Sequence, residues 1–336
     1  GYAGADVWRK GVQDYIKAHQ YQNTRTDDLW NAVEAAGATD LTRIAHQFTL
    51  QPGVPLIQVT DAQCTGGNTL VTLRQSEFSS DRRAEVTANP QSWNVPVNAA
   101  TAGGALVRAV TEGPSTQMTV PGCGPLLLNA GQTGYYRSLY QAPQLATLAQ
   151  NFASLQPIDQ FGLLNDNIAL AYTGYQPLAP ALDLTAAIPS DANPKVLGEG
   201  LGTWSGLYGM FDGEPAVQAQ IGKLIQTQYA PELDRIGFAV RDGEAAGETL
   251  LRPALISVLG STGLESVKAE RVRLLGELSK NSTALDGPLK TTWLSLIARD
   301  ADAADWDTLH QLAQNAGGYT ERSALYGALG GVKDPA

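Results

Sequence analysis

The chain has 336 residues, of which 43% are hydrophobic and 17% charged, with a formal net charge of −10. That length suits two or three domains rather than one core, and the composition suits packed globular structure rather than disorder. The negative balance argues against nucleic acid or an anionic membrane face as partner, and no apolar run approaches the roughly 20 residues of a membrane-spanning helix.

The first fifty residues read as helices. In "ADVWRKGVQDYIKAHQ", Trp8, Val12, Tyr15, Ile16 and His19 share one helical face, with Asp6 placed as the N-cap. In "TRTDDLWNAVEAAG", Thr26 is the expected cap, Asp27 and Asp28 suit the positive end of the helix dipole, and Gly37 is the stop. A third helix is predicted from Thr39 or Asp40, burying Leu41, Ile44, Ala45 and Phe48 before "QPGVP" breaks the pattern. The chain opens at "GYAGADVW" with neither signal peptide nor initiator methionine and closes at "GALGGVKDPA". Both edges read as cut from something longer.

From Pro55 the period changes to two. "PLIQV", "TLVTLRQ", "SWNVPVNA", "ALVRAV", "QMTVP" and "PLLLN" are short strand candidates between Gly, Pro, Asn, Asp and Ser clusters. Trp93, Val95 and Val97 fall on one face, and Pro96 signals an edge strand. Such a run predicts a small β-sandwich of roughly ninety residues. After Tyr140 the strands stop. "PQLATLAQNFASL" sets Leu145, Leu148, Phe152 and Leu155 at helical spacing, "DQFGLLNDNIALAYTG" sets Leu164, Ile168 and Ala171, and helical stretches continue to the end. The expected class is multi-domain α and β, closing in an α-helical repeat domain of HEAT-like or armadillo-like kind.

Candidate chemistry is sparse. Cys64 and Cys123 are too few for a Cys-rich zinc site; they are either two inert thiols or one disulfide, and spacing leaves both open. A disulfide would imply a periplasmic or secreted protein, and free thiols a cytoplasmic one. His19, His46 and His310 lie far apart, none in an H-E-x-x-H motif, and read as packing or surface residues. Ser205 in "GTWSG" lacks the nucleophile-elbow context, and "GEGLGTW" fails the phosphate-loop patterns and reads as close helix packing. Asp300, Asp302, Asp305 and Asp307 miss the EF-hand spacing and read as helix caps. Asn281 heads a glycosylation triplet, "NST", that matters only in a secreted eukaryotic protein. Asp27 with Asp28, and Glu265 with Glu270, read as helix-terminus or surface charges. No catalytic, cofactor-binding or metal-binding residue is assigned.

The stretch "NAGQTGYYRSLY", residues 129–140, poses a choice between active site and joint, because Tyr135, Tyr136, Arg137 and Tyr140 suit either. Alternation places Tyr135, Arg137 and Leu139 on one side of a last strand and Tyr136, Ser138 and Tyr140 on the other. Amphipathic tyrosines and a forked arginine suit a place where domains meet, and the joint is the expectation.

Three stretches together resemble the zinc-dependent gluzincin aminopeptidases, the family of aminopeptidase N and the puromycin-sensitive aminopeptidase. "GADVWRKGVQDYIKAHQYQNTRTDDLWNAVEAAG" is similar to the helical end of that family's thermolysin-like catalytic domain, through Val12, Tyr15, His19, Tyr21, Asn23, Thr26, Asp28, Leu29 and Trp30. "QPGVPLIQV" resembles its link into a β-sandwich, with Phe48 standing where tryptophan is more usual. The run 129–140 resembles its Asn–x–x–x–x–Gly–Tyr–Tyr–Arg segment, and "LLNDNIALAYTG" its first C-terminal helices.

The resemblance implies three parts: C-terminal helices of a catalytic domain (1–52), a β-sandwich (53–141) and a truncated helical domain (142–336). It implies a parent zinc metallopeptidase in which a zinc-bound water attacks peptides at the N-terminal residue, with a glutamate as base. The zinc and its ligands would lie upstream, leaving this chain a non-catalytic cap over the cavity, inactive alone, with peptides as partners only through the missing part. The alternative is a free-standing β-sandwich and α-solenoid scaffold with no enzymatic activity.

Overall fold

Helices α1 (Ala5–Ala18), α2 (Thr26–Ala35) and α3 (Leu41–Thr49) open the chain in the computed structural model, which describes residues 1–281, 284–285 and 287–332. Helix α1 meets α2 through Gly11, where a side chain would fall 2.5 Å from the Val33 Cα. Only glycine lets the two backbones approach this closely. Gly11→Ala is therefore expected to destabilise the protein by about 1–3 kcal/mol through overpacking. A lower urea midpoint at unchanged m would show it; an unmoved midpoint would contradict the close contact. The caps differ from the sequence reading. Asp6 lies inside the first turn of α1 and pairs with Arg9 at 2.8 Å, while Gly4, at φ 79°, takes the N-cap. Thr26 is likewise already helical, and Asp28 closes the end of α2 by accepting from the Arg25 N–H at 2.8 Å.

Strands β1 (Val54–Thr65) and β2 (Asn68–Phe78) form an antiparallel hairpin that turns on Gly66 and Gly67, at φ 60° and 80°. Two consecutive residues at positive φ give the turn whose twist matches the flanking strands. A short helix, α4 (Arg83–Ala88), follows; the period-two reading had no signal for it. Strands β3 (Pro96–Thr101), β4 (Val107–Val110), β5 (Ser115–Pro121), β6 (Leu126–Leu128) and β7 (Arg137–Leu139) complete two sheets, ordered β5–β2–β1–β7 and β4–β3–β6. Trp93, Val95 and Val97 are buried as expected, but the strand starts later than the pattern suggests, so only Val97 lies within β3. Pro96, however, does not mark an edge: β3 is the central strand of its sheet. Pro96 is its first residue, where a missing N–H interrupts no interior ladder bond. The buried Gln75 side chain joins β2 to the run into β3, donating to the Trp93 carbonyl at 2.8 Å and accepting from the Trp93 N–H at 2.6 Å.

Cys64 and Cys123 form a disulfide, with their Cα atoms 5.3 Å apart. It ties the far end of the β1–β2 hairpin to the turn after β5. Of the two readings the sequence leaves open, the structure takes the bonded one.

Helices α5 (Ala142–Gln150), α6 (Pro157–Tyr172) and α7 (Leu178–Ala186) belong with the sheets and first helices in one compact unit, Gly1–Ala187. Helix α6 buries Leu163, Leu164, Ile168 and Leu170, but also the polar Asp159, Gln160, Asp166 and Asn167. Buried polar groups need partners, and Asp159 finds one in the Gly131 N–H and Asp166 in Arg137 and the Ser138 N–H.

The second unit starts at Ile188 and contains α8 (Pro194–Met210), α9 (Pro215–Ile236), α10 (Ala246–Ser261), α11 (Glu265–Leu278), α12 (Lys290–Arg299), α13 (Ala303–Asn315) and α14 (Tyr319–Leu329). Sequence neighbours pack on one another, α8 against α9, α9 against α10 and α13 against α14. Among the described residues no helix is long and apolar enough to cross a membrane. Gly200 of the "GEGLGTW" run does serve close packing, since a side chain there would meet Ile188 and the Tyr229 hydroxyl within 2.5 Å. Gly202 faces open space instead.

Arg252 is fully buried in α10 and closes the end of α9 by donating to the carbonyls of Gly237 (2.9 Å) and Ile236 (3.2 Å). Its charge is met by Glu244, at 2.6 and 2.5 Å. The hydrogen bonds from Arg252, then from Thr249, pull the Glu244 carboxyl down to about 2 from the usual 4.5. A depressed carboxylate contributes stability that is present above pH 4.5 and is lost as pH falls through about 2. Glu244→Gln is thus expected to lower the urea midpoint at pH 7 and to flatten its fall over that acid window. An identical acid profile in wild type and variant would contradict this.

Candidate functional site

The loop at 129–134 is braced from within. Asn129 and Gln132 adopt positive φ, 54° and 51°. The Asn129 amide spans the loop, accepting from the Gly134 N–H at 2.8 Å and donating to the Gly134 carbonyl at 3.1 Å. Helix α6 then receives the loop. The Gly131 N–H donates to Asp159 Oδ1 at 2.7 Å, and Gln132 packs where any side chain on Gly162 would stand. Burial pushes the Asp159 carboxyl up, while the bonds from Gly131 and Gln132 work against it.

Strand β7 continues the attachment. It lies parallel to β1, with Arg137 beside Leu56. Arg137 Nη1 donates to Asp166 Oδ1 at 2.8 Å and to Asn165 Oδ1, and the Ser138 N–H donates to Asp166 Oδ2 at 2.9 Å. The guanidinium lies over the Phe78 ring, 5.6 Å from its centroid. Burial pushes the Asp166 carboxyl up; the donors from Arg137 and Ser138 oppose that shift. The Tyr140 hydroxyl accepts from the Leu128 N–H at 2.9 Å, and the Tyr136 hydroxyl points at the Asn98 carbonyl, 3.5 Å away. Burial raises both phenols well above their ordinary range, so neither is an acid or base near neutral pH.

Alternation holds as far as Ser138. Tyr135 is 64% exposed and meets Phe48 edge-on, whereas Tyr136 and Ser138 are buried. Leu139 breaks it, because it packs with Leu56 and Leu170 and is covered as well. Beside Arg137 opens a groove of about 430 Å³ lined by Tyr135, Ile158, Phe161 and Asn165 among others. Its side chains are aromatic, aliphatic and amide, around one guanidinium and the Asp166 carboxylate that pairs with it. No hydroxyl or thiol nucleophile stands against a base there, so the arrangement suits binding rather than bond cleavage.

The other candidates do not converge. The His19 ring lies tilted against Tyr15 with centroids 5.4 Å apart, His46 Nε2 lies 2.7 Å from Asp27 Oδ1, and the His310 ring lies tilted against Trp306 at 4.6 Å. Among the described residues no three His, Cys, Asp or Glu side chains come together to hold a metal. Asp302 caps α13 by accepting from the Asp305 N–H at 2.9 Å, and Asp300 pairs with Arg299. Glu265 pairs with Lys268 and Glu270 with Arg273. Ser205 lies within α8, not on a strand-to-helix turn. In the triplet headed by Asn281, Ser282 and Thr283 lie outside the described residues, as do Lys333 to Ala336 of the closing run. Asp159, Asn165 and Asp166 were not singled out from the sequence. The one signal for Asn165 and Asp166 is a polar run, Asn165 to Asn167, between apolar residues of the helical pattern.

The loop, β7 and α6 all fall inside residues 125–336, which match the family model of the ERAP1-like C-terminal domain. The chain belongs to the ERAP1-like C-terminal domain family. It is 26% identical over 324 residues to a puromycin-sensitive aminopeptidase of Caenorhabditis elegans, covering 93% of this chain and 34% of that protein. It is 27% identical over 271 residues to aminopeptidase N of Lactococcus lactis subsp. lactis, covering 77% and 30% respectively. Aminopeptidase M1-A of Oryza sativa subsp. japonica is 25% identical over 351 residues, covering 99% and 39%. The chain therefore spans about a third of the length of these relatives, and it is a C-terminal portion of an aminopeptidase-family protein. The GYYR segment is part of the ERAP1-like domain, and its groove also takes in Val54 and Phe78 from outside the matched residues.

Proposed function

We propose that this ERAP1-like chain is the non-catalytic C-terminal part of a zinc-dependent aminopeptidase that removes N-terminal residues from peptides. The observation that carries this reading is similarity to aminopeptidases along nearly the whole chain, which at the same time spans only about a third of them. Zinc chemistry is not assigned to these residues, because the described His, Cys, Asp and Glu side chains do not fit a metal site.

The reading divides the chain into the last helices of a thermolysin-like domain (1–52), a β-sandwich (53–141) and a HEAT-like helical domain (142–336). The order of elements supports it: α1–α3, then β1–β7, then α5–α14. In the parent enzyme the helical part caps and shapes the active-site cavity, and its opening gates peptide entry. The Cys64–Cys123 bond supports a periplasmic or secreted location, since such bonds persist in oxidising compartments. The test is the reading frame upstream of residue 1. An H-E-x-x-H motif there supports the proposal; a frame without one favours a scaffold of sheets and helices with no enzymatic activity.

A further inference from the structure

We propose that the outward edge of Arg137 is a carboxylate-binding fork, and that its ligand is the free α-carboxylate of a peptide lying in the adjoining groove. Arg137 uses Nη1 alone, on Asn165 and Asp166. Its Nε and Nη2 make no hydrogen bond among the described residues, and neither is sealed from solvent. The side chain is 28% exposed and lines the 430 Å³ groove. Nε and Nη2 together form the side of a guanidinium that grips a planar carboxylate with two parallel bonds.

The same chain shows that edge at work. Arg273 holds Glu270 through Nε and Nη2 at 2.7 and 2.6 Å while its Nη1 holds Glu277 at 2.6 Å. Arg299 grips Asp300 through Nε and Nη2, both at 2.9 Å. A second carboxylate on a guanidinium already held by a first is thus an arrangement this sequence builds. At Arg137 the first carboxylate is in place and the second seat is open.

Arg137 is also oriented in advance. Asp166 and Asn165 fix one edge and the Phe78 ring fixes the plane, so little side-chain freedom remains to be lost on binding. Tyr135 and Ile158, 64% and 52% exposed, offer apolar walls for a terminal side chain. The volume is that of a small-molecule site, with room for a chain end rather than a folded partner. The choice of a peptide as bearer rests on the aminopeptidase reading; the fork itself rests on the geometry of Arg137.

The experiment titrates the 336-residue protein with three probes by calorimetry or NMR: N-acetyl-Ala-Leu-Phe as the free acid, the same peptide as its C-terminal amide, and N-acetyl-Ala-Glu-Phe amide. The expected result is at least tenfold tighter binding of the free acid than of either amide. Arg137→Lys, which keeps the charge but loses the fork, should weaken the acid at least tenfold. Ile158→Ala, at an exposed wall position, should weaken it without altering the urea midpoint, so the proposal does not hang on whether an Arg137 variant folds. Equal binding of acid and plain amide, or no binding of any probe, overturns the proposal. Equal binding of the acid and the glutamyl amide overturns the assignment to an α-carboxylate. Acid-selective binding by a protein whose native form proves to be metal-free and 35.5 kDa would remove the aminopeptidase reading and leave the fork standing.

Discussion

Replacing Asp166 with alanine is expected to destabilise the first unit by about 2–3 kcal/mol, with Asp166→Asn falling between that variant and wild type. Removing one member of a fully buried ion pair typically costs about 3–5 kcal/mol, because the other charge is left without a partner. Here the arginine is partly exposed, so water compensates part of the loss. Against that, Asp166 also accepts from the buried Ser138 N–H, which alanine would leave unsatisfied. Asparagine keeps an acceptor for one of these donors but not the charge. Urea unfolding of the three proteins would read the order directly. An alanine variant as stable as wild type would mean that β7 is not held to α6 through this carboxylate.

The second large effect concerns the disulfide. Cys64→Ser together with Cys123→Ser should lower stability by about 4 kcal/mol, the chain-entropy expectation for closing a loop of this size. The sequence separation is 59 residues, and the bond joins the turn end of a long hairpin to the turn after an edge strand. Intact-mass measurement after alkylation, with and without reductant, checks the bond itself. Two thiols that label freely in the unreduced native protein would contradict it, and with it the proposal of an oxidising compartment.

Much of the fold could be read from local pattern. Trp93, Val95 and Val97 were expected on a buried strand face and all three are buried, although only Val97 lies within β3; Leu145 and Leu148 form the buried face of α5, and Phe152 is buried just after it. Errors came where neighbours outside the window decide. Pro96 looks like an edge residue locally, but its place at the start of β3 makes it harmless in a central strand. Asp6 looks like a cap, but α1 begins one residue before it and Asp6 turns to Arg9. For the site, the pattern singled out Tyr135, Tyr136, Arg137 and Tyr140 but not what they meet. Asp166 lies 29 residues beyond Arg137, and nothing in local spacing says that α6 returns to carry it there. Parallel pairing of β7 with β1, across most of the sheet region, is equally invisible to a period of two.

The seam between β7 and α6 explains why the GYYR run has the composition of an active site without catalytic geometry. Tyr136 buries its ring, and the arginine is committed on one edge to a carboxylate of the next helix. What remains exposed, Tyr135 and the other edge of Arg137, borders the groove. A joint and a binding surface can therefore share four consecutive residues.

The central claim is that this chain is the non-catalytic part of a larger zinc aminopeptidase, and native mass spectrometry with metal analysis on the protein purified from its source tests it most directly. The account predicts a mass far above 35.5 kDa with one zinc per chain. A metal-free species near 35.5 kDa would contradict it and turn attention to a stand-alone binding protein.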